Sequence, residues 1–207
     1  MLTLYHCVDA RSFRPLWALE ELGLDYELKV MPFPPRLREP EFLAINPLGT
    51  IPALVDGATF MTESAAMVQY LATRDGPTAL SVEPGDPAYG AWLNWLHFGE
   101  ATLTFPQTIV LRYGTFEPDR APGAAEDYAR WFLARLRAVE KALEDGRDYL
   151  CAGRYTGADI SVGYALLLAA QLKLDKDFKP GVAAYWERLK ARPGFQSAKA
   201  RQRNVAA

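Results

Sequence analysis

Asn46-Pro47-Leu48-Gly49-Thr50-Ile51-Pro52-Ala53-Leu54-Val55-Asp56-Gly57 is the stretch whose reading decides the first half of the chain. Ala53-Leu54-Val55 reads as a short strand, and Asp56-Gly57 is a strong hairpin signal that returns residues 58–62 as a second strand. Pro52 opens the first of these strands, where its missing N–H costs the ladder little. As an X-Pro bond, Ile51-Pro52 has the cis form open to it, although local sequence favours trans. The cis geometry turns the backbone N–H and C=O of Ile51 outward at the sheet edge, where an extended peptide-like ligand can pair with them as an added strand would.

Upstream, Leu2 and Leu4 alternate with Thr3 and Tyr5 as a half-buried strand. Leu16, Leu19 and Leu22 then recur at helical spacing, with Glu20 and Glu21 outside and Gly23 as the stop. Tyr26, Leu28 and Val30 alternate with Glu27 and Lys29 as the next strand, after which Pro32, Pro34 and Pro35 argue against regular structure. Downstream of the hairpin, Glu63-Ser64 opens a helix with Met67, Val68 and Leu71 facing inward. The order strand, helix, strand, loop, two strands, helix implies parallel and antiparallel pairing in one mixed sheet.

Residues 76–87 are rich in Gly, Pro, Asp and Ser and read as a linker, after which the chain is helical. Residues 87–112 form one long helix or two, with a kink expected at Pro106. Phe132, Leu136, Val139 and Leu143 make an apolar stripe on another helix. Thr156-Gly157-Ala158-Asp159 is a capping box, flanked by Tyr155 and Ile160 as a hydrophobic staple, and starts an apolar central helix. Val182, Tyr185 and Leu189 mark a last helix, ended near Arg192-Pro193-Gly194. The expected domains are therefore 1–76 and 87–207, joined by a linker at 77–86.

The 207 residues carry 23 basic and 25 acidic side chains, a formal charge of −2 that argues against nucleic acid or anionic membrane as a partner. Two cysteines and two histidines give no basis for a disulfide framework or a metal site. With no signal peptide or membrane span visible, a reduced, cytoplasmic setting is expected.

Glu63-Ser64 admits two readings. Ser64 can cap the helix while Glu63 favours its positive end, or the free N–H groups and Ser64 hydroxyl can hold a ligand carboxylate while Glu63 meets an ammonium. An amino-acid zwitterion needs that second pairing. The turn around Arg11-Ser12 opens the first helix, so Ser12 is either its cap or a donor to an anion there, with Arg11 adding positive charge. A thiol whose pKa falls by about two units at such a place gains roughly 2.7 kcal/mol of differential stabilisation. Cys7 and Cys151 read as buried structural cysteines, His97 and Glu100 as a polar helix edge, and Trp92, Trp95 and Phe98 as packing.

In this order, the opening LTLYH, the run RSFRPLWALEELGLDYEL, the Asn46-Pro47-x-Gly49-x-Ile51-Pro52-Ala53-Leu54 segment, Glu63-Ser64, the linker and the Thr156-x-x-Asp159 box resemble a bacterial-type cytosolic glutathione transferase over essentially the full length. The resemblance implies a thioredoxin-like α/β domain followed by an all-helical domain, and a homodimer. It implies that Ile51 and the cis Pro52 clamp the cysteinyl part of glutathione, that Glu63 and Ser64 take its γ-glutamyl end, and that Thr50 lies where relatives contact the ligand. Relatives also carry a serine, cysteine or tyrosine facing the sulfur. In the serine and cysteine types it stands three to five residues before the arginine that is Arg14 here, positions held by Asp9, Ala10 and Arg11. Ser12, Arg11 and the backbone amides are the substitutes.

The leading expectation is an enzyme in which the glutathione thiolate attacks an apolar electrophilic small molecule. That molecule would lie under residues 5–12 and against His97, Ala101, Thr104 and Phe105. The alternatives are a carrier of glutathione or apolar ligands with little turnover, a thiol-exchange enzyme using Cys7, and a glutathione-dependent isomerase or dehalogenase.

Overall fold

The computed structural model describes residues 1–204. Its two compact units are Met1–Ser81 together with the segment from Lys190 onward, and Val82–Leu189. The first unit thus takes in the C-terminal segment that the sequence reading gives to the helical domain.

In the first unit, β1 (Leu2–His6), α1 (Phe13–Leu22), β2 (Tyr26–Val30), α2 (Pro35–Arg38), β3 (Ala53–Asp56), β4 (Thr59–Met61) and α3 (Ser64–Thr73) follow one another. The sheet order is β2-β1-β3-β4, with β1 and β2 parallel and the other two pairings antiparallel. This is the thioredoxin-like arrangement. Asp56 pairs with Thr59, so the hairpin loop is Gly57-Ala58, and Gly57 takes φ +57°, a region open to glycine at no steric cost. The apolar periodicities become the core: Leu2 and Leu4 of β1, Leu16, Trp17 and Leu19 of α1, and Met67, Val68 and Leu71 of α3 are all buried. Each such side chain stabilises the fold by roughly 1.5–3 kcal/mol. The proline run differs from expectation, because Pro35 opens the short α2, where a helix needs no N–H.

The chain also has a helix beyond the one that the sequence reading takes as its last. Pro193, which reads as a stop, is the first residue of α9 (Pro193–Asn204). Phe195, Ala198 and Gln202 fall on its buried face. The inward spacing is helical, but only one of the three is a large apolar residue, so the periodicity is faint. Helix α9 packs along α1. The Phe195 ring meets Phe13 and Trp17 edge-on at 5.4 and 5.0 Å, and Arg192 grips Glu21 through two contacts of 2.8 Å.

The second unit is helical. Helix α4 (Tyr89–His97) runs through a π-helical stretch, Phe98–Thr104, into α5 (Phe105–Leu111). The wide stretch lies immediately before Pro106, where the sequence suggests a kink; helix widening is one way a chain absorbs such a residue. A methyl group on Gly99 would come within 2.5 Å of Ser161, whose hydroxyl donates to the Leu96 carbonyl at 2.5 Å, so only glycine allows this close approach. Then come α6 (Ala124–Leu143), with Phe132, Leu136, Val139 and Leu143 inward, α7 (Gly157–Gln171) and α8 (Pro180–Lys190). From Gly157 to Ala169 every residue of α7 is buried. Among the described residues no helix is long and apolar enough to cross a membrane.

The capping box at the head of α7 is fully formed. Asp159 accepts from the Thr156 backbone N–H at 2.8 Å, the Leu150 N–H at 3.0 Å and the Tyr185 hydroxyl at 2.7 Å. Burial pushes the Asp159 carboxyl up, and these hydrogen bonds oppose the shift.

Candidate functional site

The topology gathers the singled-out segments of the first unit at one end of its sheet. Tyr5 pairs with Ala53, so the end of β1 and the start of β3 are neighbours. Consequently Cys7 and Ile51 belong to one buried cluster with Met31, Phe42 and Ala53, against which Ala10 and Tyr5 pack. The Ile51–Pro52 bond is cis, and so is Phe33–Pro34.

Asn46 builds the loop that leads to Ile51. Its amide Nδ2 donates to the Thr50 carbonyl at 2.7 Å, its Oδ1 accepts from the Leu48 N–H at 3.2 Å, and its carbonyl accepts from the Gly49 N–H at 2.8 Å. Gly49 sits at φ +59°, and a Cβ there would come within 2.5 Å of Arg36 and 2.9 Å of Leu43, so a side chain would collide with both. Thr50 is exposed beyond this buried clamp.

The start of α3 is not capped as the simpler reading expects. Glu63 is the N-cap residue, its backbone extended, and no side chain closes the terminus. Ser64 is already inside the helix, buried, and its hydroxyl accepts from Arg14 Nη1 at 3.0 Å. Arg14 is itself fully buried on α1. It ties the heads of α1 and α3 together, a role the sequence reading misses. The signal for it is a cation set among Phe13, Leu16 and Trp17 on the apolar face of a helix. Glu63 is exposed beside this pair.

Ser12 also differs from both of its expected roles. It is fully buried and makes no side-chain cap bond. Its hydroxyl accepts from the Cys7 N–H at 3.2 Å and donates to the Cys7 carbonyl at 3.3 Å, so it knots the β1–α1 turn internally. Arg11, next to it, is half-buried. Cys7 is buried, its thiol set against the Pro32 carbonyl at 3.7 Å. Burial, helped by the Glu39 charge, pushes that thiol up to about 12, which leaves it protonated and unreactive at neutral pH. Burial likewise pushes Cys151 up to about 11. Among the described residues there is no cluster of three His, Cys, Asp or Glu side chains that could hold a metal.

In the second unit, His97 and Ala101 line a shallow cavity of about 400 Å³ with Leu93, Asn94, Phe98 and Thr102. Thr104 and Phe105 do not line it. Thr104 is buried, and its hydroxyl donates to the Gly99 carbonyl at 2.7 Å, which corrects its placement as a ligand contact. Phe105 is 54% exposed.

Two family models match the chain, the N-terminal domain of glutathione S-transferase over residues 10–74 and its C-terminal domain over residues 124–193. Glutathione S-transferase 3 of Zea mays is 33% identical, over 86% of this chain and 83% of that protein. The chain belongs to the glutathione S-transferase family. A glutathione transferase from Methylococcus capsulatus has a crystal structure that matches with a TM-score of 0.84 and 31% identity, covering 99% of this chain and all of that one. A sphingomonad glutathione S-transferase, solved in complex with glutathione, matches with a TM-score of 0.84 and 27% identity, over 97% of this chain and 98% of that one. The segments gathered at the sheet end, residues 46–52 and 63–64, fall inside the matched N-terminal domain.

Proposed function

We propose that this family member is a cytoplasmic, homodimeric transferase that binds glutathione at the sheet end of its first unit and activates the thiol for attack on an apolar electrophile. The observation that carries this reading is the head of α3, closed by no side chain and tied to α1 through Arg14–Ser64. The head of α3, whose first N–H groups no side chain takes, favours an anion and suits the γ-glutamyl carboxylate, whereas at the head of α1 the Phe13 and Arg14 N–H groups already donate to the Ala10 and Arg11 carbonyls.

On this reading the Ser64 hydroxyl and the N–H groups at the head of α3 take the γ-glutamyl carboxylate, and Glu63 meets the ammonium. The backbone of Ile51 pairs with the cysteinyl residue, and Thr50 borders it. The sulfur then lies over the β1–α1 turn. Arg11 supplies the positive charge that favours thiolate over thiol, while Ser12 keeps the turn in shape through the Cys7 backbone. The thiolate attacks an electrophilic carbon, and a leaving group departs with the bonding electrons, or, in an addition, the product carbon takes a proton. Of the residues that the sequence reading gives to the electrophile, His97 and Ala101 line a cavity whose volume is within the range of small-molecule sites.

The test is the thiolate absorbance of enzyme-bound glutathione, followed across pH. Its pKa is expected below that of free glutathione. Arg11→Ala should raise it by about one unit, worth roughly 1.4 kcal/mol. Ser12→Ala should raise it less, by loosening the turn, and Cys7→Ser should leave it unchanged. If bound glutathione ionises no more readily than free glutathione, the carrier reading replaces the enzyme. If only the Cys7 change alters it, thiol exchange does.

A further inference from the structure

The last turn of α9 reaches the β1–α1 turn through one side chain. Gln202 is fully buried. Its Oε1 accepts from the Asp9 backbone N–H at 3.1 Å and lies 3.0 Å from His6 Nε2, while its Nε2 donates to Asp9 Oδ1 at 2.6 Å. Lys199, one turn earlier, grips the same carboxylate at 2.6 and 2.8 Å. The polarity is self-consistent. A carboxylate only accepts and an amide N–H only donates, so the Gln202 amide has one orientation, and His6 Nε2 must carry the proton it donates to Oε1. Burial lowers His6 to about 4, so its ring is neutral at physiological pH and is the tautomer with the proton on Nε2.

Asp9 is where the turn needs holding. It takes φ +54°, a left-handed conformation that side chains other than glycine's disfavour. Two residues later comes Arg11. Docking of α9 needs none of this, since Phe195 against Phe13 and Trp17 and Arg192 against Glu21 already seat the helix on α1. A buried amide is a costly way to fill space, and its three partners all lie at the end of β1 or the head of the turn.

We propose that Gln202 is a positioning residue for thiol activation, fixing His6 and Asp9 so that Arg11 meets the glutathione sulfur. The proposal rests on the glutathione reading above and names a determinant for it nearly two hundred residues away in sequence.

The experiment uses the full chain, with an activated aryl chloride as the electrophile and the pH titration of bound-glutathione absorbance. Gln202→Leu keeps the bulk and removes the hydrogen bonds. It should raise the bound-thiol pKa by about one unit and lower kcat several-fold, with KM for glutathione within about twofold, because the Ile51 and Ser64 contacts are elsewhere. Gln202→Glu opposes two carboxylates and should do the same. The double change Asp9→Asn with Gln202→Glu exchanges donor and acceptor, and should recover most of the loss. Should Gln202→Leu not fold, Lys199→Met removes the other hold on Asp9 and is read in the same way. A lowered melting temperature with unchanged thiol pKa and kcat overturns the proposal, leaving Gln202 as packing alone. An effect that the donor–acceptor exchange fails to rescue overturns it too. If glutathione bound to the unsubstituted chain ionises no more readily than free glutathione, the glutathione-activation reading itself falls, a result separable from the first because no variant is needed to see it.

Discussion

At the head of α7, Thr156 and Asp159 satisfy each other's backbone groups and are sealed in with Tyr185 and the Leu150 N–H. At the heads of α1 and α3 no side chain closes the terminus, even though Ser12 stands at the first N-cap and Ser64 one residue inside the second helix. Ser12 turns back to the Cys7 backbone, and Ser64 receives Arg14. The difference separates two uses of one chemistry. A terminus sealed by side chains stabilises the fold, whereas the head of α3, which its own serine does not close, keeps its N–H dipoles for an incoming group.

Removing the centre of the sealed network should have the largest effect. Asp159→Ala takes the acceptor from four buried donors and should cost roughly 3–5 kcal/mol in urea unfolding. Glutathione affinity of the folded fraction should not change, and a loss of affinity matching the loss of stability would erase the contrast. Second comes a pH effect at the head of the first unit. His6 titrates near 6.5 when unfolded and is lowered to about 4 in the fold by burial, so between these values the unfolded chain binds the extra proton. Stability is therefore complete above about pH 6.5 and falls by up to about 3 kcal/mol as pH drops toward 4. His6→Gln, which keeps a donor to Gln202 but does not titrate, should flatten that slope in unfolding curves at pH 7 and pH 4.5. Third, Ser64→Ala should weaken glutathione binding by about 1–3 kcal/mol, measured calorimetrically, with a smaller change in stability. An equal loss in both would make Ser64 part of the scaffold only. Smallest is Thr156→Ala, which removes one side-chain cap and should cost about 1 kcal/mol with binding intact.

Much of this is open to a reader of the chain. Thr156-x-x-Asp159 specifies its own geometry, because both partners are local and the residue types admit few other arrangements. The strand before Asp56-Gly57 and the cores of α1, α3 and α6 follow from periodicities of two and 3.6. What escapes depends on partners distant in sequence. Nothing near Ser12 says that its hydroxyl prefers the Cys7 backbone to the helix it precedes, and nothing near Arg14 names Ser64, fifty positions on. Helix α9 is hard to see because Pro193-Gly194 serves as well to open a helix as to end one, and because its inward stripe holds an alanine and a glutamine where a reader looks for leucines. Thr104 reads as a wall of the cavity because a π-helical stretch shifts the residues after it around the axis.

That α9 belongs to the first unit makes the helical unit an insertion, in the topological sense, within a thioredoxin-like fold. Translation therefore delivers the sheet, α1 and α3 first and the residues that cover α1 only after more than a hundred intervening residues have been made. Until then Phe13 and Trp17 lack their partner Phe195, and Asp9 has no Gln202 to hold it. On the proposed reading, a chain in this condition has α1 without its aromatic cover and a β1–α1 turn not yet set for the glutathione sulfur.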